Sequence, residues 1–195
     1  MSETIRGGNG PGFLVDVNKN NQMSIDAVIK REEAYLSNKF GQTYTISTNV
    51  VTLNSTNQHL LLYMKNTSST KLLYNATLEV GYNGGSTNHD RCMELRILAG
   101  FTTPSANHTI ATFGNVNFTS GEVAEADGYI WDGVGDGMTT TGGVLVNGAI
   151  VGKGHKVYES YGMPIMGLND YIGVAVAAEE TGKASITIRL FFKDK

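Results

Sequence analysis

The sequence predicts an all-β fold, a β-sandwich or jelly roll with one short helix near residues 31–40. Three observations predict it. The 195-residue chain carries 20 Thr, 24 Gly and 17 Asn but only 3 Pro, a composition of strand formers and turn formers with few helix formers. Apolar stretches of strand length recur along it, several with period-two alternation. The clearest is "ASITIRLFF", where Ile186, Ile188, Leu190 and Phe192 share one face and Ser185, Thr187, Arg189 and Phe191 the other.

Each element follows in order. Residues 1–12 hold Gly7, Gly8, Gly10 and Gly12 around Pro11. Such a segment cannot offset its own ordering entropy, so it reads as a free tail or an arm ordered by a partner. Residues 13–195 then read as a single sandwich domain. "FLVDV" is a strand, "NKNN" a turn, and "MSIDAVI" a second strand with Met23, Ile25, Ala27 and Ile29 on one face. "KREEAYLSNKFG" holds the helix, with Gly41 at its stop. "TYTISTNVVTL" alternates. "HLLLYMKN" and "KLLYNATLEVGY", separated by "TSST", read as an antiparallel pair in the core. Further strands are expected at "CMELRILAG", "GGVLVNGAIVG" and "YIGVAVAAEE". The turn "EETGK" joins the last of these to the C-terminal strand as a hairpin. Residues 99–143 are too long for an ordinary connection. They read as an elaborated loop with short strands such as "DGYIW", placed where a β-domain commonly carries recognition.

The chemistry of the chain excludes more than it selects. Net charge is −3 with no basic stripe, so direct nucleic-acid binding is not expected. No run approaches the roughly 20 apolar residues that span a bilayer, and "MSETIRGGNG" lacks the apolar core of a secretory leader. Neither a membrane nor a cofactor is therefore expected as a partner. The five N-x-[ST] triplets, at Asn54, Asn66, Asn75, Asn107 and Asn117, read as chance products of an Asn/Ser/Thr-rich chain. Cys92, the single cysteine, sits in a strand-like context and reads as a small buried residue.

The four histidines lack H-x-H or H-x-x-x-H spacing, which argues against zinc. "DGYIWDGVGDGM" puts Asp127, Asp132 and Asp136 among glycines, a weak calcium pattern without the EF-hand spacing. Asp-Gly is also a common turn dipeptide. No G-x-S-x-G occurs. "GGNGPG" precedes a strand and has no lysine, so it is no phosphate loop. Asp90 with Glu94, and Glu122 with Glu125, read as solvated loop charges, although carboxylates that meet only in space escape a sequence reading. Tyr129, Trp131 and Tyr158 lie in or beside turn-rich segments where rings could stack on a sugar, while the commoner fate of such a Trp is the core. Tyr129, Trp131, Asp132 and Asp136 therefore form a candidate ligand-contact loop, and a lectin-like receptor-recognition module is the alternative function. An enzyme is not expected.

From residue 7 to about residue 80, the order of features resembles small virion structural proteins of tailed bacteriophages. The resemblance runs through the Gly-rich opening, "FLVDVN", "MSIDAVI", "KFGQTYTI", "VVTL" and above all "LLLYMKN". It implies a non-enzymatic role on a phage particle: capsid decoration or cement, or the base of a head or tail fibre. It implies assembly in the bacterial cytoplasm, partnership with a major capsid protein or other virion proteins, and a homo-oligomer, a trimer by analogy with capsid three-fold axes. It further implies that Gly7, Gly8, Gly10, Pro11, Gly12 and Phe13 contact the capsid or a neighbouring subunit.

Overall fold

A computed structural model describes residues 16–17, 23–24, 41–54, 58–84, 92–152, 154–159, 164–178 and 180–195. The helix expected over 31–40 and the Gly7–Phe13 arm lie outside the described residues. Among the described residues there is no helix, and every regular element is a strand. The chain divides into two compact units, Met1–Arg31 and Glu32–Lys195, whereas the sequence reading drew its one boundary after residue 12.

In the first unit, β1 (Asp16–Val17) pairs antiparallel with β2 (Met23–Ser24). These residues belong to the expected strands "FLVDV" and "MSIDAVI".

The second unit is a sandwich of two antiparallel sheets. Its strands are β3 (Thr43–Ser47), β4 (Val51–Leu53), β5 (Gln58–Asn66), β6 (Lys71–Gly84) and β7 (Cys92–Phe101). There follow β8 (His108–Ile110), β9 (Gly114–Asn115), β10 (Ala126–Trp131), β11 (Gly142–Gly152), β12 (Gly154–Glu159), β13 (Tyr171–Ala178) and β14 (Gly182–Asp194). One sheet runs β11-β7-β13-β5-β10-β8 and the other β12-β6-β14-β3-β9, with β4 also on β14. With the additions β8, β9, β10 and β4 set aside, the order is β11-β7-β13-β5 over β12-β6-β14-β3, the eight-stranded arrangement of a jelly roll. The 99–143 segment supplies three of these four additions: β10 and β8 widen the first sheet beyond β5, and β9 widens the second beyond β3.

Burial follows from alternation. In β14, Ile186, Ile188, Leu190 and Phe192 are buried, as their spacing predicts, against Ile46, Val80 and Leu78 of the same sheet and the inner face of the other. A register shift between Arg189 and Leu190 against β6 sets the buried Asn75 opposite Leu190. Burial pushes the Tyr44 hydroxyl up to about 12, with Glu122 and Glu125 adding to the effect.

Two expected hairpins are not formed. "HLLLYMKN" and "KLLYNATLEVGY" become β5 and β6, yet β5 pairs with β10 and β13 while β6 pairs with β12 and β14. Likewise β13 pairs with β5 and β7, and β14 lies in the other sheet. Both turns carry the chain across the sandwich. At the first, Asn66 is fully buried. Its amide donates to the carbonyls of Lys71 (3.1 Å) and Met166 (2.8 Å), and its oxygen accepts the Ser68 N–H (2.9 Å). The Ser68 hydroxyl accepts the Lys71 N–H at 3.0 Å. The turn is thus closed on side chains and on the 164–170 loop, and the next strand leaves toward the opposite sheet.

Replacing Asn66 by Ala should cost about 2–3 kcal/mol, since it strips a buried turn of its polar partner. Ser69→Ala, on the exposed neighbour, should stay within about 0.5 kcal/mol. Urea unfolding of both variants checks this.

Candidate interaction surface

The sequence-derived loop is the first place to look for a site. Trp131 is 2% exposed, and its indole N–H donates to the Val134 carbonyl at 2.7 Å. It packs on His59 with ring centroids 5.0 Å apart. A sugar-stacking indole needs an open face, and this one is core. Tyr129 is half-buried in an aromatic group: Tyr63 lies 5.7 Å from it and His108 4.8 Å. Tyr63 also meets Phe101 and Tyr171 at 5.8 and 5.7 Å. Asp132 is exposed and accepts the Val134 N–H at 2.9 Å, a local turn contact. Asp136 accepts from the Asn54 side-chain amide at 2.9 Å. Among the described residues no three His, Cys, Asp or Glu side chains come together as a metal site, so Asp127, Asp132 and Asp136 do not converge.

Other expectations shift too. Glu94 is not a loop charge: it lies on β7, half-buried, paired with Arg96 at 2.7 Å. Arg96 also donates to Gln58 at 2.7 Å. The Arg96 guanidinium holds the Glu94 carboxyl below its usual range. Glu125 accepts from Lys71 at 2.6 Å and is held low by that contact and by Ser68. Cys92 is half-buried at the end of β7 rather than enclosed, because it begins a strand beside the sheet edge.

That edge is where the structure departs most from an ordinary surface. β11 pairs with β7 on one side, and among the described residues no strand pairs with its other side. Its sequence, "GGVLVNGAIVG", carries no charge. Val144, Leu145, Val146 and Ile150 are 66%, 53%, 47% and 75% exposed. The remaining edges are managed differently. β8 and β9 have three and two residues, and β12 bears His155, Lys156 and Glu159. Short length and charge are the usual protections of a sheet edge. β11 has neither. Its one protection is a register shift between Leu145 and Asn147, which interrupts continuous strand addition and turns side chains outward.

The apolar side chains flank two depressions. One, of about 700 Å³, is lined by Cys92, Glu94, Leu145, Gly148, Ile150 and Ala177. The other, of about 300 Å³, meets Val146, Pro164, Ile165 and Tyr171. Within the first, Glu94 is neutralised by Arg96, so a docking surface meets little net charge there. In sequence "GGVLVNGAIVG" reads as a strand, and as no phosphate loop because no helix follows it. The sequence signal for its exposure is Val144-Leu145-Val146, three consecutive large apolar residues that a half-buried strand cannot all hide.

Comparison with protein-family models, with curated proteins and with solved structures returns no match. Among the described residues no helix is long and apolar enough to cross a membrane.

One buried titratable group has a pH consequence. His59 is 1% exposed. Its Nε2 accepts the Asn54 N–H at 3.3 Å, and its Nδ1 has no hydrogen-bond partner. Burial lowers its pKa, against smaller opposing effects of Asn54 and Asp136. The unfolded chain therefore takes up a proton that the folded chain resists. This contribution is complete above the ordinary histidine value near 6.5 and is lost as pH falls from there through the lowered folded value. Urea midpoints measured between pH 7.5 and 5 should fall for the native chain, and His59→Gln should flatten that fall.

Proposed function

We propose that this chain is a non-enzymatic structural protein of a tailed-phage particle, assembled in the bacterial cytoplasm, that self-associates through β11 and binds the capsid through its N-terminal arm. The observation that carries the self-association is an eleven-residue uncharged edge strand with four large exposed aliphatic side chains. Partial exposure of four such residues is worth on the order of 5 kcal/mol per strand if fully covered. Two facing strands would double that, which falls within the roughly 4–15 kcal/mol that association costs. The margin left after that cost is small, so association that strengthens with protein concentration is the expectation. A second copy fits because an uncharged surface meets its own image without repulsion, and closed symmetry is the common outcome for such surfaces. The proposed state is the trimer that the resemblance implies, with three copies of β11 meeting about the three-fold axis.

The resemblance over residues 7–80 supports the phage assignment. The jelly-roll strand order is compatible with it, since viral capsid domains use that fold, but lectin domains use it as well. Fold alone therefore does not choose between them. The lectin alternative leans on Trp131, Tyr129 and Tyr158, and burial of Trp131 counts against the first of these. The capsid-contact role of Gly7, Gly8, Gly10, Pro11, Gly12 and Phe13 rests on the resemblance.

Light scattering after size exclusion should give an oligomeric mass for the native chain and a monomeric mass for Ile150→Glu. Ile110→Glu, on the 82%-exposed Ile110 of short β8, should leave the mass unchanged. A native monomer, or an Ile150→Glu oligomer, would contradict the β11 assignment. Deleting residues 2–12 should leave the melting temperature nearly unchanged and abolish incorporation into particles. Normal incorporation of the shortened chain would refute the arm.

A further inference from the structure

The geometry points to Asn147–Gly148 as a site of spontaneous amide-to-acid conversion that places a carboxylate in the middle of β11. Both residues are exposed, and they follow directly on the register shift that loosens the strand. The Gly148 N–H donates to the Asn147 side-chain oxygen at 2.8 Å. That contact holds the Gly148 nitrogen beside the side-chain carbonyl carbon of Asn147, the proximity an intramolecular attack requires. Glycine adds no side chain to shield the nitrogen and permits the backbone rotation that ring closure needs.

The chemistry balances with water alone. The Gly148 nitrogen gives its proton to solvent base and bonds to Cγ of Asn147. The leaving nitrogen takes a proton from water, the Cγ–Nδ2 bond breaks, and ammonia leaves. The cyclic imide then takes up one water, and opening at either carbonyl leaves aspartate or isoaspartate. Loss of the nitrogen's proton makes the step faster as pH rises.

The chain contains a built-in comparison. Asn83–Gly84 is the same dipeptide, and Asn83 is also exposed, but Gly84 is buried. Both glycines sit in a paired strand, Gly84 opposite Gly182 and Gly148 opposite Arg96, so the difference between the sites is enclosure. Glu180 Oε1 and the Tyr82 hydroxyl crowd Gly84, within 2.1 and 3.2 Å of where a Cβ would stand. Ring closure there must displace packed structure. Asn9–Gly10, the third such pair, lies outside the described residues.

The consequence for assembly rests on the β11 reading of the preceding section. Conversion adds one negative charge per copy to a strand that has none, and facing copies then repel. Unassembled chains would age out of assembly, whereas chains already assembled would be shielded because a covered Gly148 cannot reach the imide geometry.

The test uses full-length protein, native and Ile150→Glu, incubated at neutral and mildly alkaline pH and followed by peptide mass mapping. In Ile150→Glu, where association cannot hide the site, the β11 peptide should acquire the acid mass several-fold faster than the Asn83 peptide, and faster at higher pH. The native chain should convert more slowly than Ile150→Glu, and Asn147→Gln should not convert at this position. Equal or faster conversion at Asn83, or no pH dependence, overturns the site. Converted native protein, separated by charge, should elute at the monomer mass. If it converts at Asn147 yet keeps its oligomeric mass, the chemistry stands and both the assembly consequence and the β11 reading fail.

Discussion

The sandwich depends on the buried side chain of Asn66. β5 has the longest run of successive buried residues among the described strands, six from His59 to Met64. β6 follows it after a four-residue link. Two such neighbours would ordinarily fold back on each other. Asn66 instead spends both amide protons and its oxygen on Lys71, Met166 and Ser68. Its backbone joins the same loop, donating to the Asp170 carbonyl and accepting the Asn169 N–H. One side chain therefore ties the end of β5, the start of β6 and the approach to β13. A buried amide is stable only with its partners in place, so the corner has one permitted geometry, and that geometry sends β6 into the second sheet.

The 99–143 segment follows from the same constraint. A strand buried on both faces needs cover outside as well as inside the sandwich. Part of that cover comes from the segment itself. Thr102 and Ser105 donate to the carbonyls of Thr141 and Thr139, making a narrow ribbon. The Met138 N–H donates to the Leu60 carbonyl at 3.1 Å, and Gly137 backs so closely onto His59 and Leu60 that a Cβ there would sit 2.7 Å from the Leu60 nitrogen. Gly173 plays the matching part in β13. A Cβ there would sit 2.4 Å from the Phe101 ring, so the absence of a side chain is what lets Phe101 lie across the strand and join Tyr63 and Tyr171. What reads in sequence as a recognition insert is, in large part, structural cover and sheet extension.

With the other edges short or charged, β11 is left as the long apolar margin of the described fold. Edge strands of this kind are ordinarily blunted because they template association. Here only the bulge between Leu145 and Asn147 remains as a guard. A bulge blocks register-perfect strand addition while leaving side chains free to pack. That combination favours association through side-chain faces over unlimited sheet growth.

Local periodicity by itself determined the all-β class, the position of most described strands though not of β8, β9 and β12, and the buried face of β14. Those properties depend on residue neighbours two positions apart, which a sequence displays directly. Tertiary structure alone decided which strands pair. The "TSST" and "EETGK" links look like hairpin turns, and only the side-chain closure at Asn66 and the commitment of β13 and β14 to opposite sheets show that they cross the sandwich. The same limit explains the sites. Burial of Trp131, the pairing of Glu94 with Arg96 and the bare margin of β11 are products of what the chain folds against them. Solvent exposure is a property of the neighbours a residue acquires in space, and those neighbours are distant in sequence.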